Sequence, residues 1–416
     1  MPLFIRGKNT MKELQTDVVV IGAGTAGLSA YLNAKQFTQN VLMIESGPYG
    51  TTCARVGCMP SKLLIAAAEA AHAIEMAPAF GVHSSKPVID GKAVMARVKS
   101  ERDRFAGFVV EAVDELPEGD KIRGYAKFLD TNRVQIDDHT IITAKRFVIA
   151  TGSRPSYPGV FNNFGDKLII NDDVFDWDDL PESVAVFGPG VIGLEIGQAL
   201  SRLGVNVKLF GVGGAIGPLT DPVVKDYANT VFAEEFFVDT DSNVSDMMQV
   251  GDKAQLTYTD KQGEKHTEQF DYVLAATGRV PNVDKLGLEN TGIELDERGV
   301  PHADTHTMQC GESNIFIAGD ASNMLPLLHE ASDQGAIAGQ NAGRFPDVRI
   351  GLRRAKIAAV FSDPQIAMVG ESYKQITDRL GPCGCFEVGE VSFENQGRSR
   401  VMLKNKGHMR VYAEQG

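Results

Sequence analysis

Two cysteines five positions apart, Cys53 and Cys58, are the residues of this chain whose type and spacing best suit chemistry. On a regular helix, residues five apart point about 140° away from each other, so their thiols diverge. A disulfide between them needs a distorted turn, and Gly57 permits one. Pro60 suits the first position of a helix, and residues 62–76 are rich in Ala and Leu, which predicts a helix there. Cys58 then lies near a helix N-terminus, where a thiolate is stabilised.

The spacing of this pair leaves two other interpretations open. Buried unpaired cysteines behave as small hydrophobic residues. A zinc site would need two further ligands, and no nearby Cys or His supplies them, so we predict no metal site. The second close pair, Cys383 and Cys385, lies in a Gly/Pro-rich loop, and we expect no function for it. Cys310 is expected to pack in the core.

The residues before the cysteines have the pattern of a strand, a glycine turn, a helix and a second strand. The apolar run 18–21 leads into a glycine triplet, a helix follows to about Gln36, and the second strand, 41–44, ends at Glu45. In this arrangement the backbone of the turn approaches a pyrophosphate at the positive end of the helix dipole. A carboxylate at the tip of the second strand accepts hydrogen bonds from a ribose. The segment therefore predicts a dinucleotide site built on Gly22, Gly24, Gly27 and Glu45.

The same pattern recurs later in the chain. Residues 183–187 form a strand, Gly188, Gly190 and Gly193 form the turn, residues 194–203 the helix and 205–210 the next strand. Each copy is followed by a strand that ends in Ala-Thr-Gly, at residues 150–152 and 276–278. Two such units imply two dinucleotides and therefore electron transfer between them. Residues 93–116 have helical periodicity and a charged face, which predicts a long exposed helix.

Composition and charge exclude several other classes of function. The chain has 416 residues, enough for two or three domains, and 43% of them are hydrophobic. The net charge of −13, without a Lys/Arg cluster, argues against nucleic acid or an anionic membrane as the main partner. We expect no membrane span and no signal peptide. Five cysteines in a chain of this length are no disulfide scaffold, so we expect a cytoplasmic protein.

Four segments of the chain resemble the flavoprotein (pyridine nucleotide-) disulfide oxidoreductase family. Thr51-Thr-Cys-Ala-Arg-Val-Gly-Cys-Met-Pro-Ser-Lys62 is similar to its redox segment, and the pattern is most similar to its dihydrolipoamide dehydrogenase branch. Ile317-Ala-Gly-Asp320 resembles the segment whose aspartate contacts the flavin ribityl chain. Leu327-Leu-His329 resembles the piece near the flavin ring. Phe361-Ser-Asp-Pro364 resembles an early strand of the interface domain.

The resemblance implies an α/β fold with two Rossmann-like dinucleotide-binding domains and a C-terminal α+β dimer-interface domain. The implied order is a first FAD-binding segment at 12–155 and an NAD(P)-binding domain at 156–283. A second FAD-binding segment at 284–346 and the interface domain at 347–416 follow. The interface domain is expected to be truncated, because the chain stops at Gly416 before the histidine and glutamate that family members use as acid–base catalyst.

The resemblance also implies roles for individual residues. Cys53 would exchange with substrate, Cys58 would face the flavin, and Lys62 and Glu195 would pair beside it as further catalytic residues. The residues implied for FAD are Gly22, Gly24, Gly27, Glu45, Thr52, Lys62, Ala126, Thr151, Gly152, Asp320, Leu327 and His329. Those implied for the nicotinamide cofactor are Gly188, Gly190, Gly193 and Gly278.

Two further departures from the family pattern bear on chemistry. Arg55 stands where the family usually has asparagine, and a cation between the thiols favours a thiolate. Gly211 stands where an acidic residue usually ends the second strand of the nicotinamide domain. No arginine follows at once to bind a 2′-phosphate, so we expect FAD and NAD as cofactors without excluding NADP.

The implied function is oxidation of a dithiol, most of all dihydrolipoamide, by the cysteine disulfide, with electrons passing to FAD and then NAD. The partners would be a small-molecule dithiol or protein-bound lipoyl group and a second copy of the chain in a homodimer. The alternatives are a reductase of glutathione, of mercuric ion or of another disulfide. From a different class comes a flavin-loaded subunit without turnover.

Overall fold

The computed structural model describes residues 11–381 and 385–414. Their contacts divide the chain into two compact units, each assembled from three separated segments. The first unit comprises residues up to 55, 104–154 and 279–354. The second comprises 56–103, 155–278 and the residues from 355 onwards. The division into four domain segments expected from the sequence stays a prediction.

The first unit contains a largely parallel sheet. The strand Ile315–Ile317 pairs in parallel with the end of Thr140–Ile149. The other strands lie side by side in the order Lys121–Arg123, Val41–Glu45, Lys12–Ile21, Thr140–Ile149, Arg133–Ile136 and Ala126–Asp130. The last two join as antiparallel strands. Val18, Val19 and Val20 are fully buried because both faces of the parallel part are covered.

Two helices of the first unit pack closely on each other. They are Thr25–Ala34 and Leu328–Arg344. A Cβ atom at Gly335 would lie 2.3 Å from the carbonyl oxygen of Ala26, and one at Gly339 would lie 2.2 Å from that of Ala30. Only glycine permits this backbone approach. The unit also contains short 3₁₀ helices at Glu118–Asp120, Leu288–Asn290 and Gly319–Ser322.

The second unit repeats the parallel architecture. Its five-stranded sheet has the order Phe237–Asp239, Asn206–Phe210, Ser183–Phe187, Tyr272–Ala275 and Leu168–Ile169. All of these pairings are parallel. A three-stranded antiparallel sheet follows, formed by Asn243–Val250, Lys253–Thr259 and Lys265–Phe270. The helices and 3₁₀ segments are Cys58–Met76, Ala77–Phe80, Gly159–Lys167, Asn171–Val174, Val191–Arg202 and Pro222–Ala233.

The helix Cys58–Met76 supplies part of the core of the second unit. Leu64, Ala68 and Ala71 are buried in the same cluster as Leu194. By length and composition the helical stretch Thr52–Phe80 is apolar enough to cross a membrane. In the most apolar window of this stretch, 17% of the residues are buried.

The residues from 355 onwards form two small antiparallel strand pairs and two helices. Ile357–Val360 pairs with Ile366–Val369, and Phe386–Ser392 pairs with His408–Glu414. The helices are Tyr373–Leu380 and Gly397–Val401. Arg410 Nη1 and the Tyr412 hydroxyl both donate to Asp221 Oδ2, at 2.7 and 2.6 Å, which fixes the second strand pair on the helix Pro222–Ala233.

Three further elements cross the boundaries between the segments of the two units. They are the helices Thr52–Val56 and Gly91–Asp114 and the strand Ser153–Pro155, which pairs with Arg279–Pro281.

The predicted fold class, with two Rossmann-like units, is confirmed. The predicted helix start at Pro60 is wrong by two residues, because the helix begins at Cys58. Proline at the third helical position is tolerated because N–H groups of the first turn have no intrahelical acceptor. The long helix expected at 93–116 runs from Gly91 to Asp114.

Candidate active site

The redox segment is split between two helices. Thr51 caps the short helix Thr52–Val56, with its hydroxyl accepting from Ala54 N at 3.2 Å. Thr51 has a φ of 56°, which is uncommon for a β-branched residue and typical of functional sites. Gly57 then breaks the helix with φ −131° and ψ −116°, and the 19-residue helix begins at Cys58.

The two thiols differ in their surroundings. Cys53 is half-buried and Cys58 is exposed. Because Gly57 interrupts the helix, the two residues do not share one regular helix, as a disulfide between them would require. The first turn of the helix Cys58–Met76 places the thiol of Cys58 at the positive end of a long helix dipole. The prediction that Cys58 lies near a helix N-terminus is confirmed.

Lys62 and Glu195 form an ion pair, as the resemblance implied. Lys62 Nζ lies 2.6 Å from Glu195 Oε2, and the hydroxyl of Ser61 donates to the same oxygen at 3.3 Å. The Glu195 side chain is 5% exposed, whereas that of Lys62 is 32% exposed. A carboxylate this deeply buried needs a partner to offset the loss of its hydration, and Lys62 provides it. Glu195 is therefore not a solvated helix residue.

The first glycine turn has the shape that a dinucleotide requires. A Cβ atom at Gly27 would lie 1.8 Å from the carbonyl oxygen of Gly22, so the helix packs directly on the turn. Around Gly24 nothing lies within 4 Å of a Cβ position, which leaves open space for a phosphate. The Glu45 carboxylate accepts from Ala23 N and Gly47 N, both at 2.7 Å, and is thereby held at the tip of its strand.

Polar groups from two other segments of the first unit suit the same ligand. The hydroxyl of Thr151 is buried and has no hydrogen-bond partner among the described residues. Gly152 has a φ of 69° and open space at its Cβ position. Asp320 Oδ2 accepts from the Ser153 hydroxyl at 2.7 Å, which orients its carboxylate. An unsatisfied buried hydroxyl beside open space is what a missing ligand would leave, so these residues fit FAD.

The remaining residues implied for FAD have diverse settings. Ala126 is buried at the start of an antiparallel strand. Thr52 and His329 are exposed, and Leu327 is half-buried at the N-cap of the helix Leu328–Arg344. Their contacts with FAD stay predictions.

The second glycine turn reproduces the first almost atom for atom. A Cβ atom at Gly188 would lie 2.3 Å from Ala276 O, as one at Gly22 would lie 2.3 Å from Ala150 O. A Cβ atom at Gly193 would lie 1.9 Å from Gly188 O, and Gly190 again faces open space. Gly278 is exposed, with a φ of 142°. The helix Val191–Arg202 thus begins with a turn whose geometry suits a second phosphate.

The structure explains why Gly211 ends its strand without a carboxylate. A Cβ atom there would lie 2.6 Å from Pro189 Cγ and 2.9 Å from Thr240 O, so Pro189 leaves room for glycine alone. A carboxylate is nevertheless near, because Asp241 accepts from Gly213 N at 2.8 Å. Lys225 Nζ lies 3.9 Å from the Cβ position of Gly214. The sequence pattern missed both residues because Asp241 follows a different strand, Phe237–Asp239, and Lys225 lies in the helix Pro222–Ala233.

A group of possible metal ligands lies in the hairpin of the second unit. The ligand atoms of Asp260, Glu264 and His266 lie within 4.8 Å of one another. Asp260 Oδ2 is 2.7 Å from His266 Nε2, and Asp260 Oδ1 accepts from Gln262 N and Glu264 N. These bonds give Asp260 a structural role in the turn.

Comparison with known proteins agrees with this geometry. Residues 16–335 match the model of the pyridine nucleotide-disulphide oxidoreductases. The chain belongs to this family. It is 32% identical over 406 residues to the dihydrolipoyl dehydrogenase of Chlamydia pneumoniae, covering 96% of this chain and 84% of that protein. It is 32% identical over 374 residues to the dihydrolipoyl dehydrogenase of Geobacillus stearothermophilus, covering 88% and 77%.

Solved structures share the fold of this oxidoreductase. LpdA from Mycobacterium tuberculosis has a TM-score of 0.79 at 24% identity and covers 96% of this chain and 87% of its own. The HOCl-induced flavoprotein disulfide reductase RclA from Escherichia coli has a TM-score of 0.77 at 21% identity, covering 96% and 86%. The chain is therefore a flavoprotein disulfide oxidoreductase, and its cofactors are FAD and NAD.

The sequence pattern did not predict which residues surround the Lys62–Glu195 ion pair of this oxidoreductase. Ser61 and Phe361 contact the Lys62–Glu195 pair, and a polar face of the helix Val191–Arg202 carries further contacts. Cys310 is 2% exposed, as expected for a packing residue. Of the second cysteine pair, Cys385 is exposed and Cys383 lies outside the described residues.

Proposed function

We propose that this oxidoreductase oxidises a dihydrolipoyl dithiol, either a small molecule or a protein-bound lipoyl group, and delivers the electrons to NAD. One observation carries the proposal: the helix that begins at Cys58 also bears Lys62, whose ammonium is paired with the buried Glu195. Both dihydrolipoyl dehydrogenases compared above, each 32% identical to this chain, support the choice of dithiol.

The electron route begins with thiol–disulfide exchange. A substrate thiolate attacks the sulfur of Cys53, the bond between Cys53 and Cys58 breaks, and Cys58 leaves as a thiolate. The second substrate thiol then attacks the mixed disulfide, which releases the cyclic disulfide product and leaves both cysteines reduced. The N-terminus of the helix Cys58–Met76 stabilises the leaving thiolate.

Bound FAD supplies the acceptor for the electron pair of the reduced cysteines and the hydride donor for NAD. The protein's own contribution is to hold Gly24 and Gly190 open for the two pyrophosphates. It also holds the Lys62 ammonium in place through Glu195. The net reaction converts one dithiol and one NAD into one disulfide, one NADH and one proton.

Turnover of matched variants tests the proposal. The FAD-loaded protein should form NADH from dihydrolipoamide, and NADPH should be a poorer partner than NADH in the reverse direction. Cys53→Ser should lose dithiol oxidation and keep NADH-driven dye reduction, whereas Cys310→Ala should keep both. Dithiol oxidation that persists in Cys53→Ser would show that the assigned roles are wrong. Turnover with glutathione disulfide and none with dihydrolipoamide would show that the substrate is wrong.

We further propose that the oxidoreductase acts as a homodimer. The strand pair formed by Phe386–Ser392 and His408–Glu414 packs one face on the helix Pro222–Ala233. On its other face Val391, Met409 and Val411 are 46%, 44% and 55% exposed. An exposed apolar face of this kind is typical of a protein interface.

A further inference from the structure

The Lys62 ammonium is enclosed on several sides. Its Nζ lies 2.6 Å from Glu195 Oε2 and 3.4 Å from the hydroxyl of Ser61. It also lies 4.4 Å from the centroid of the Phe361 ring, well within the range of a cation–π interaction. Carboxylate, hydroxyl and aromatic face together limit the positions open to a side chain that otherwise has several rotamers.

Phe361 is held by the same carboxylate that pairs with the ammonium. Its backbone N–H donates to Glu195 Oε1 at 3.0 Å, while Glu195 Oε2 accepts from Lys62. One buried side chain therefore fixes both the cation and the residue whose ring covers it. The Phe361 ring is otherwise 44% exposed, so apolar burial alone does not hold it there.

A second clamp on the same helix secures the residues that follow Phe361. Gln198 Oε1 accepts from Asp363 N and Gln198 Nε2 donates to Asp363 O, both at 2.8 Å. Arg202 Nη2 donates to Asp363 Oδ2 at 3.2 Å. Glu195, Gln198 and Arg202 are spaced by three and four residues, so they lie on one face of the helix. Glu195 and Gln198 are each 4% exposed, so water competes little for their hydrogen bonds.

We propose that Phe361 is a positioning residue for Lys62. Its ring, fixed by the Glu195 and Gln198 clamps, sets the location of the ammonium. The inference rests on the proposed function and on the position beside the flavin that the family resemblance implies for Lys62. A cation held in one place favours negative charge on a neighbouring reduced ring more than a mobile cation does. Loss of the Phe361 ring should therefore loosen Lys62 without removing its charge.

The reactivity of the Lys62 amine tests the positioning role in the protein without cofactors. An amine-acylating reagent is applied for increasing times, and the modification of each lysine is followed by mass spectrometry, with the exposed Lys86 as internal reference. In Phe361→Leu, Lys62 should react about two- to fivefold faster than in the wild type. In Phe361→Tyr, which keeps the aromatic face, the rate should stay at the wild-type value.

A variant of Gln198 tests whether the Phe361 ring must be held in place or whether its presence alone shields the Lys62 ammonium. Gln198→Ala leaves the Phe361 ring in the chain but releases Asp363, so Lys62 should again react faster. Equal Lys62 rates in the wild type, Phe361→Leu and Gln198→Ala would overturn the proposal. The unfolding temperature of each variant is measured and must lie above the labelling temperature. The labelling rates then come from folded protein.

The FAD-loaded enzyme gives a second readout. Phe361→Leu should lower the flavin reduction potential and kcat for NADH-driven dye reduction with KM for NADH unchanged, and Phe361→Tyr should restore both. An unchanged potential in Phe361→Leu would count against the proposal. Failure of the proposed function is distinguishable, because a wild type that does not oxidise dihydrolipoamide would leave the labelling result standing.

Discussion

At the scale of single residues, burial distinguishes Cys310 from the cysteines of the redox segment. Cys310 is 2% exposed in a cluster with Phe147 and Ile315, and burial raises the pKa of its thiol to about 12. Cys58 is exposed and starts a helix, and Cys53 is half-buried. Because the thiolate is the reactive form, this difference is consistent with the proposed redox role of Cys53 and Cys58 and with a packing role for Cys310.

Thiol alkylation tests this difference. In the reduced native protein at pH 8, iodoacetamide should modify Cys53 readily and leave Cys310 untouched, because Cys310 stays protonated up to a pKa of about 12 and is shielded from the reagent. Peptide mass spectrometry before and after unfolding gives the extent at each site. Cys310 should react fully once the protein is unfolded. Rapid modification of native Cys310 would contradict its assignment as a packing residue.

At the scale of elements, the two glycine turns show which parts of the fold bind nucleotides and which parts merely close the turn. Gly190 faces open space, whereas a Cβ atom at Gly193 would lie 1.9 Å from Gly188 O. The two glycines stand three residues apart at the start of one helix. Substitution of Gly190 should therefore weaken nucleotide binding, whereas substitution of Gly193 should lower stability.

Alanine variants of the two glycines make this measurable. Gly190→Ala should leave the unfolding temperature within a few degrees of wild type and weaken NADH binding by about tenfold or more, since the methyl group fills the phosphate space. Gly193→Ala should lower the unfolding temperature clearly because the methyl group collides with the turn. Calorimetry and NADH titration give the two quantities. FAD binding, which depends on the first turn, serves as the control and should survive in Gly190→Ala.

An ion pair between two neighbouring strands of the first sheet, formed by Asp17 and Lys145, gives a pH-dependent prediction. Hydrogen bonds from Lys145 and Thr38 lower the pKa of Asp17 to about 2. A lowered pKa contributes stability above the unfolded pKa of about 4, and this contribution is lost as the pH falls through the folded value. Asp17→Asn should reduce the free energy of unfolding by about 1–2 kcal/mol at pH 7. In urea titrations the difference from wild type should shrink between pH 4 and pH 2, and a constant difference would argue against the ion pair.

Sequence patterns predicted these elements well because the signals are local. A buried apolar run before a glycine triplet places the strand Ser183–Phe187 and its helix within a few residues. The helix start at Cys58 was missed because proline is tolerated anywhere in the first turn of a helix, so Pro60 does not mark one start position. The Phe361 contact with Glu195 joins residues 166 apart, and no periodicity indicates such a pair. Gly211 was recognised as unusual, but its collision with Pro189 is visible only in three dimensions.

At the scale of the whole molecule, six alternating segments build two units, so the chain passes from one unit to the other five times. Many contacts therefore join residues far apart in sequence, which predicts slow folding. The last segment ends in the strand pair whose exposed face carries Val391, Met409 and Val411. That face is where we expect a second copy to bind.

A charge on this face tests the homodimer. Val411→Lys should shift the protein from dimer to monomer in light-scattering chromatography, because burying an unpaired ammonium in an interface is unfavourable. Val88→Lys, at a position that is 96% exposed, makes the same change of charge and should leave the dimer intact. A wild type that is monomeric at micromolar concentration would contradict the proposed homodimer.

The separation of 166 positions between Glu195 and Phe361 also has a consequence for biosynthesis. At about 5–20 residues per second, a ribosome needs roughly 10–30 s to travel from one codon to the other. During that interval Glu195 can pair with Lys62, but the backbone N–H that completes its hydrogen bonds does not yet exist. Ribosome-bound chains arrested before residue 361 should therefore expose the Lys62 amine, and full-length chains should shield it.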